Sequence, residues 1–150
     1  MVEELKKEDL NSYKELMEKV FSSRFSVDNY NPGNYQVLVI KEDDKVVAAL
    51  SYYKIDLFTR RMLEIFNLGV DPDYRGRSLA EKLFDHLIKY AKDNSYKSIY
   101  VNCSSDAYGA HKLYEKMGLK RQDTLKFELS LEDANDACRI NWEISSIYLS

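Results

Sequence analysis

Cysteine, proline and glycine are all scarce: two, two and five among 150 residues. Cys103 and Cys138 are too few and too irregularly placed for a disulfide framework or a zinc site, so reduced thiols and a cytoplasmic setting are expected. So few prolines and glycines leave no room for a flexible linker, and one domain over residues 1–150 is expected. No apolar run approaches the ~20 residues that span a bilayer. Glu3, Glu4, Lys6, Lys7 and Glu8 interrupt the start, which therefore does not read as a signal peptide. Excess positive charge is also missing. A net charge of −3 and a pI near 5.5 argue against a dedicated nucleic-acid binder and favour a cationic or neutral substrate over an anionic one. No metal-ligand spacing occurs.

What is present is ordinary globular composition, 45% hydrophobic and 31% charged. Residues 2–5 can form a first strand. Asp9 reads as an N-cap, and Leu10, Tyr13, Leu16, Met17, Val20 and Phe21 recur at helical spacing, predicting a helix over 9–22. Residues 22–34 read as a loop around Asn31-Pro32-Gly33, with room for a short second helix. Strands are predicted over 35–41 and 46–57, about a hairpin turn at 42–45, and then over 62–70. A helix over 79–91 places Leu79, Leu83, Phe84, Leu87, Ile88 and Ala91 on one face, and a strand over 98–103 follows. A helix over 107–117 ends at Gly118. Strands over 124–131 and, from the alternation of Ile140, Trp142 and Ile144, over about 138–149 complete the reading. The fold class is α/β in the α+β sense: a mixed, mostly antiparallel sheet with one βαβ crossover and helices on both faces.

The stretch from Leu68 to Ala80 is the centre of the chain. It reads as strand, tight turn, helix. A helix N-terminus leaves backbone N–H groups unpaired and carries partial positive charge, which suits a phosphate or pyrophosphate. Gly76 removes a side chain where backbone must approach such a ligand, and Arg75 and Arg77 add charge. Ser78-Leu79-Ala80-Glu81 is a capping-box sequence, in which the Ser78 hydroxyl is expected to bond the Glu81 N–H.

The element order and two motifs together resemble the GNAT superfamily of N-acetyltransferases. Val70, Pro72, Arg75, Gly76 and Ala80 match its Val-x-Pro-x-x-Arg-Gly stretch and phosphate loop, with Ser78 where glycine is usual. Ala110, Leu113, Tyr114, Gly118 and Leu119 match its Ala-x-x-Leu/Phe-Tyr-x-x-x-Gly-Phe segment; Ala107 stands where asparagine is common. The resemblance implies acetyl-CoA as co-substrate and transfer of its acetyl group to a primary amine by direct attack. Backbone of Leu68, Gly69 and Val70 would pair with the pantetheine arm. The amides of Arg75, Gly76, Arg77, Ser78, Leu79 and Ala80 would cradle the pyrophosphate, with Lys112 and Lys116 adding charge.

For the chemistry, Glu64 matches the glutamate that serves as base in some members, and partial desolvation among Phe66 and Leu68 would suit that role. It is equally readable as a rim charge pairing with Arg61 or Lys54. Tyr114 matches the general acid that protonates the departing thiolate, against a packing tyrosine. The oxyanion donor would be a backbone N–H near Val70. His111 reads as a surface or packing histidine before a base, His86 as structural, and Cys103 as a small buried residue before a nucleophile. Tyr30, Tyr35, Tyr52, Tyr53 and Trp142 are candidates to line the acceptor pocket. The acceptor is a small-molecule or a peptide amine, and members often form homodimers. A non-catalytic acyl-CoA sensor or interaction module of the same fold is the alternative.

Overall fold

A computed structural model describes residues 1–22, 24–28 and 30–131, which fall into two units, 1–119 and 120–150. In the first unit, β1 (Val2–Glu4), α1 (Leu10–Phe21), β2 (Gln36–Glu42), β3 (Lys45–Asp56), β4 (Arg61–Val70), α2 (Leu79–Asp93), β5 (Ser98–Val101) and α3 (Tyr108–Lys116) follow in order. The strands lie side by side as β1-β2-β3-β4-β5. Neighbours are antiparallel as far as β4, and β4 and β5, joined through α2, are parallel. The mixed sheet and its single crossover thus match the sequence reading.

The β2–β3 hairpin closes through Asp43 and Asp44, at φ 50° and 60°. Positive φ at both positions is the two-residue loop whose twist suits adjoining strands, and aspartate tolerates it. Alternation along the strands then feeds two cores. Val37, Val39, Val46 and Ala49 pack under Tyr13, Leu16 and Met17 of α1. Leu38, Ile40, Leu50, Tyr52, Leu63 and Ile65 pack against Leu79, Leu83, Phe84, Leu87 and Ala91 of α2. Each large apolar side chain buried this way contributes about 1.5–3 kcal/mol. Helices therefore cover both faces.

Four expectations are corrected. Asp9 stands before α1 but has helical backbone (φ −92°, ψ −2°), and its carboxylate accepts from Lys41 Nζ at 3.2 Å. A capping side chain needs extended backbone at that position, so the chain enters α1 through a 3-10 turn at Lys7–Asp9. No short second helix forms among the described residues of 22–34. The Asn31 carboxamide oxygen accepts from Gly33 N at 2.8 Å, and this local bond competes with helix. The strand predicted to reach Cys103 ends at Val101. Residues 124–131, in the second unit, form no strand, and Leu125 and Phe127 are exposed. Apolar alternation alone makes no strand where no ladder partner is engaged. The expected strand over 138–149, with Trp142, lies outside the described residues.

One irregularity positions the site. The β4–β5 ladder runs only from Met62 opposite Ser98 to Ile65 opposite Val101. Beyond it, residues 66–70 keep β3 on one side and have no strand on the other among the described residues. Ser51 opposes Asn67 and Tyr52 opposes Ile65, so Phe66 is bulged out of register.

Candidate active site

Asp71 begins the turn after β4. Its N–H donates to Val47 O at 2.9 Å, and its carboxylate accepts from Asp73 N at 3.0 Å and from Lys19 Nζ at 2.8 Å. Lys19 foremost holds this buried carboxyl below its ordinary value. Pro72 opens a 3-10 turn to Tyr74, Arg75 is extended, and Gly76 (φ 77°) and Ser78 (φ 57°) turn the chain into α2.

Ser78 does not cap α2. Its left-handed backbone carries the hydroxyl away from the helix N–H groups, and it makes no side-chain bond to them. A capping serine needs extended φ, ψ, whereas this corner needs positive φ, the conformation in which glycine costs least. Glu81 is engaged instead by Lys116 Nζ at 2.6 Å, which with the Ser78 hydroxyl lowers its carboxyl pKa. Lys116 is thus paired with Glu81 in this structure. The first N–H groups of α2 are left without a side-chain cap.

These features open on one cleft of about 580 Å³. Leu68, Gly69 and Val70 supply one wall. Arg75, Gly76, Ser78, Leu79, Ala80 and Glu81 supply the end, and Gly109, Ala110, Leu113 and Tyr114 of α3 the other wall. Val20 of α1 and Tyr74 also line it. Tyr114 packs on Phe84 at 5.9 Å, and burial, then Cys103, pushes its phenol above the ordinary value. Packing is tight at Gly69: a Cβ there would lie 3.1 Å from Met17 Cε and 3.3 Å from Val20 Cγ1. Gly76 has open space around that position, so its conformation alone demands glycine.

Three of the expected site residues lie outside the cleft lining. Arg77 pairs with Glu42 at 3.2 Å and lies over the Tyr74 ring at 4.9 Å. Lys112 is exposed on α3. Glu64 is half-buried on β4; because Leu63 and Ile65 point into the α2 core, it faces the α1 side. Neither Arg61 nor Lys54 is its partner; Asn102 Nδ2 donates to its Oε1 at 2.5 Å. Glu64 thus lies on the α1 side of the sheet and Tyr114 on the α2 side. Arg75 makes no ion pair among the described residues.

The aromatic candidates divide. Tyr52 is buried in the α2-side core beside Tyr90, where burial raises its pKa, so it lines no α1-side pocket. Tyr53 stacks on Phe66 at 4.4 Å, and Tyr35 meets both rings edge-on. His111 Nε2 lies 2.9 Å from Ser104 O and ties α3 to the preceding loop. Cys103 is exposed, because its strand stops two residues earlier, and His86 is exposed on α2. Sequence reasoning missed Asn102, Phe66 as a ring partner, Val20 and Tyr74. Asn102 follows the last residue of β5, and only the β4–β5 register brings it to Glu64.

A profile of the acetyltransferase (GNAT) family matches residues 1–119. The chain belongs to this GNAT family. Human N-acetyltransferase 8B is 29% identical over 85 residues, 55% of this chain and 37% of that protein. N-acetylaspartate synthetase of Xenopus tropicalis is 36% identical over 59 residues, 39% of this chain and 22% of that protein. The chain therefore spans well under half the length of these curated relatives. Among solved structures, a ribosomal-protein-alanine N-acetyltransferase from Brucella melitensis superposes with a TM-score of 0.75 at 20% identity, over 87% of this chain and 99% of that one. An aminoglycoside acetyltransferase from an uncultured soil metagenomic sample gives 0.75 at 20% identity, over 87% and 95%. Those structural likenesses establish the GNAT fold. No helix among the described residues is long and apolar enough to cross a membrane.

Proposed function

We propose that the chain is an acetyl-CoA-dependent N-acetyltransferase that passes an acetyl group directly to a primary amine. One observation carries this reading: a single cleft gathers the unpaired edge of β4, the left-handed turn before α2 and Tyr114. The residues fit the co-substrate in two ways. An unpaired strand edge offers N–H and C=O groups to an amide-bearing pantetheine arm, for which Leu68, Gly69 and Val70 are suited. Uncapped amides at the start of α2 suit a pyrophosphate, held by residues 75–80 with Arg75 as the open charge. Arg77 can join by releasing Glu42, since an exposed pair of this kind is worth at most about 1 kcal/mol. Lys112 would contribute only from the rim.

Acetyl-CoA supplies an activated thioester, and the chain supplies proton handling and position. Glu64 takes the proton of an arriving ammonium, directly or through water, and Asn102 orients its carboxylate. A backbone N–H near Val70 stabilises developing negative charge on the acyl oxygen. Tyr114, kept protonated by burial, donates to the departing sulfur. The acceptor is a small-molecule amine or a peptide amine. The cysteine usage favours a reducing, cytoplasmic setting, and a homodimer remains part of the proposal.

Ala107 favours a second reading, a non-catalytic acyl-CoA sensor. It stands at the N-cap of α3 and offers no side chain to the helix or to a ligand. CoA release from acetyl-CoA with a panel of amines separates the two. Turnover that collapses in Tyr114→Phe supports the enzyme; tight binding without any acceptor supports the sensor.

A further inference from the structure

We propose that the α1-side face beside Glu64 selects an amine carried on an apolar, aryl-like group, and that Tyr53 and Phe66 form the shelf for that group. This rests on the acetyl-transfer reading and adds the class of acceptor. Seven consecutive residues of β3, 46–52, are buried, and Tyr53 directly after them is 39% exposed. An aromatic ring of that size, left half in water at the end of a dry strand, is a surface awaiting a partner.

The shelf is rigid. Tyr53 and Phe66 stack with 25° between their planes, Tyr35 braces both edge-on at 6.3 and 5.3 Å, and Tyr30 braces Tyr35 at 5.3 Å. Rings already fixed by such contacts lose little freedom when a ligand lies on them. Phe66 stands two positions past Glu64, on the same strand face as Glu64 and Tyr53, and the bulge leaves it without a partner on β3.

The shelf is also in reach of the chemistry. Tyr53 and Glu64 are direct cross-strand partners, and side chains so paired are neighbours on one face. An ammonium held at Glu64 therefore places its substituent against Tyr53. On the other flank of Glu64, Tyr100 is covered by the Arg60 guanidinium at 5.7 Å, which leaves the Tyr53 side as the open one.

Charge decides the class of substituent. Among the α1-side strand positions around the rings (Tyr35, Val37, Ser51, Tyr53, Glu64 and Tyr100), Glu64 is the single carboxylate, and Arg60 is the one cation placed beside them, over Tyr100. A polyamine would bring a second ammonium with no second carboxylate to meet it. An anionic substituent would meet a cation only at Arg60, over Tyr100 on the flank of Glu64 away from Tyr53, since Lys54 lies on the opposite face over Tyr90. An aryl or branched apolar group loses water and stacks.

The test is acetyl-CoA turnover by the full chain with 2-phenylethylamine and with putrescine. The expected kcat/KM favours 2-phenylethylamine by about tenfold or more, a discrimination one apolar group can supply. Tyr53→Phe keeps that preference, while Tyr53→Ala brings the ratio close to unity without changing acetyl-CoA affinity. Equal or better use of putrescine, or an unchanged ratio in Tyr53→Ala, overturns the shelf. If neither amine turns over, the wider amine panel judges the acetyl-transfer reading, and saturation-transfer NMR on CoA-loaded wild-type protein judges the shelf by itself. Saturation concentrated on the phenyl protons supports it; none, or equal saturation of putrescine, refutes it.

Discussion

Lys19 of α1 reaches across to Asp71, the first residue after β4, with 2.8 Å between Nζ and Oδ1. The same ammonium meets Asp73 at 3.0 Å, so one side chain fastens α1 to both ends of the turn that leads into the proposed pyrophosphate corner. Lys45 lies farther off, at 3.9 Å from Asp71. Asp71 is buried, and removing Lys19 would strand most of its charge.

Lys19→Met is therefore expected to lower the melting temperature by several degrees and to weaken acetyl-CoA binding, with Lys19→Arg restoring much of both. The folded Asp71 carboxyl titrates below its unfolded value of about 3.9, so folding favours its ionised form. That contribution is present above about pH 4 and is lost as pH falls through the lower, folded value. Thermal denaturation as a function of pH should accordingly show a shallower acid limb in Lys19→Met. An acid limb identical to wild type would contradict the role given to this pair.

Tyr114→Phe tests the proton donor. The Tyr114 hydroxyl makes no hydrogen bond to another described residue, so stability should hardly change. Turnover should fall about a hundredfold, within the range of general acid catalysis, while acetyl-CoA affinity is retained. Burial and Cys103 both raise this phenol, so the wild-type rate should not decline from loss of the acid until pH exceeds the ordinary tyrosine value of about 10. A tyrosine that merely packs would leave kcat unmoved on losing its hydroxyl.

Backbone conformation gives an opposed pair of predictions at the corner. Ser78→Gly removes a side chain from a left-handed position and should raise stability by about 0.5–1 kcal/mol. Gly76→Ala forces a side chain into positive φ and should cost about 1 kcal/mol, although the space is open. Urea denaturation of both variants would reveal whether conformation, and not room, dictates these residues.

Gly69→Ala should destabilise for the other reason. The added methyl meets Met17, whose end can swing aside, and Val20, whose branched side chain cannot, at a cost of about 1–3 kcal/mol. A variant as stable as wild type would mean that α1 is not seated on β4 as described.

Much of this was legible in the sequence, and the failures share a cause. Strand and helix order, the crossover and the hairpin at Asp43 and Asp44 follow from periodicity and turn chemistry, which are local. Ser78 misled because serine followed three residues later by glutamate is a real capping signature; the turn's demand for positive φ overrode it. Asp9 failed in the same manner, its carboxylate drawn off by Lys41, 32 residues away. Glu64 and Asn102, or Tyr53 and Phe66, meet only once strands are in register, and no local pattern announces a bulge. The expected strand over 124–131 had alternation but no ladder among the described residues.

The central claim is that this cleft delivers an acetyl group from acetyl-CoA to an amine. The direct measurement is mass spectrometry of the amine panel after incubation with acetyl-CoA and the full chain, with CoA release followed in parallel. The account predicts an acetylated amine formed in step with released CoA, lost in Tyr114→Phe. Acetyl-CoA bound and left intact with every amine, or not bound at all, would contradict it.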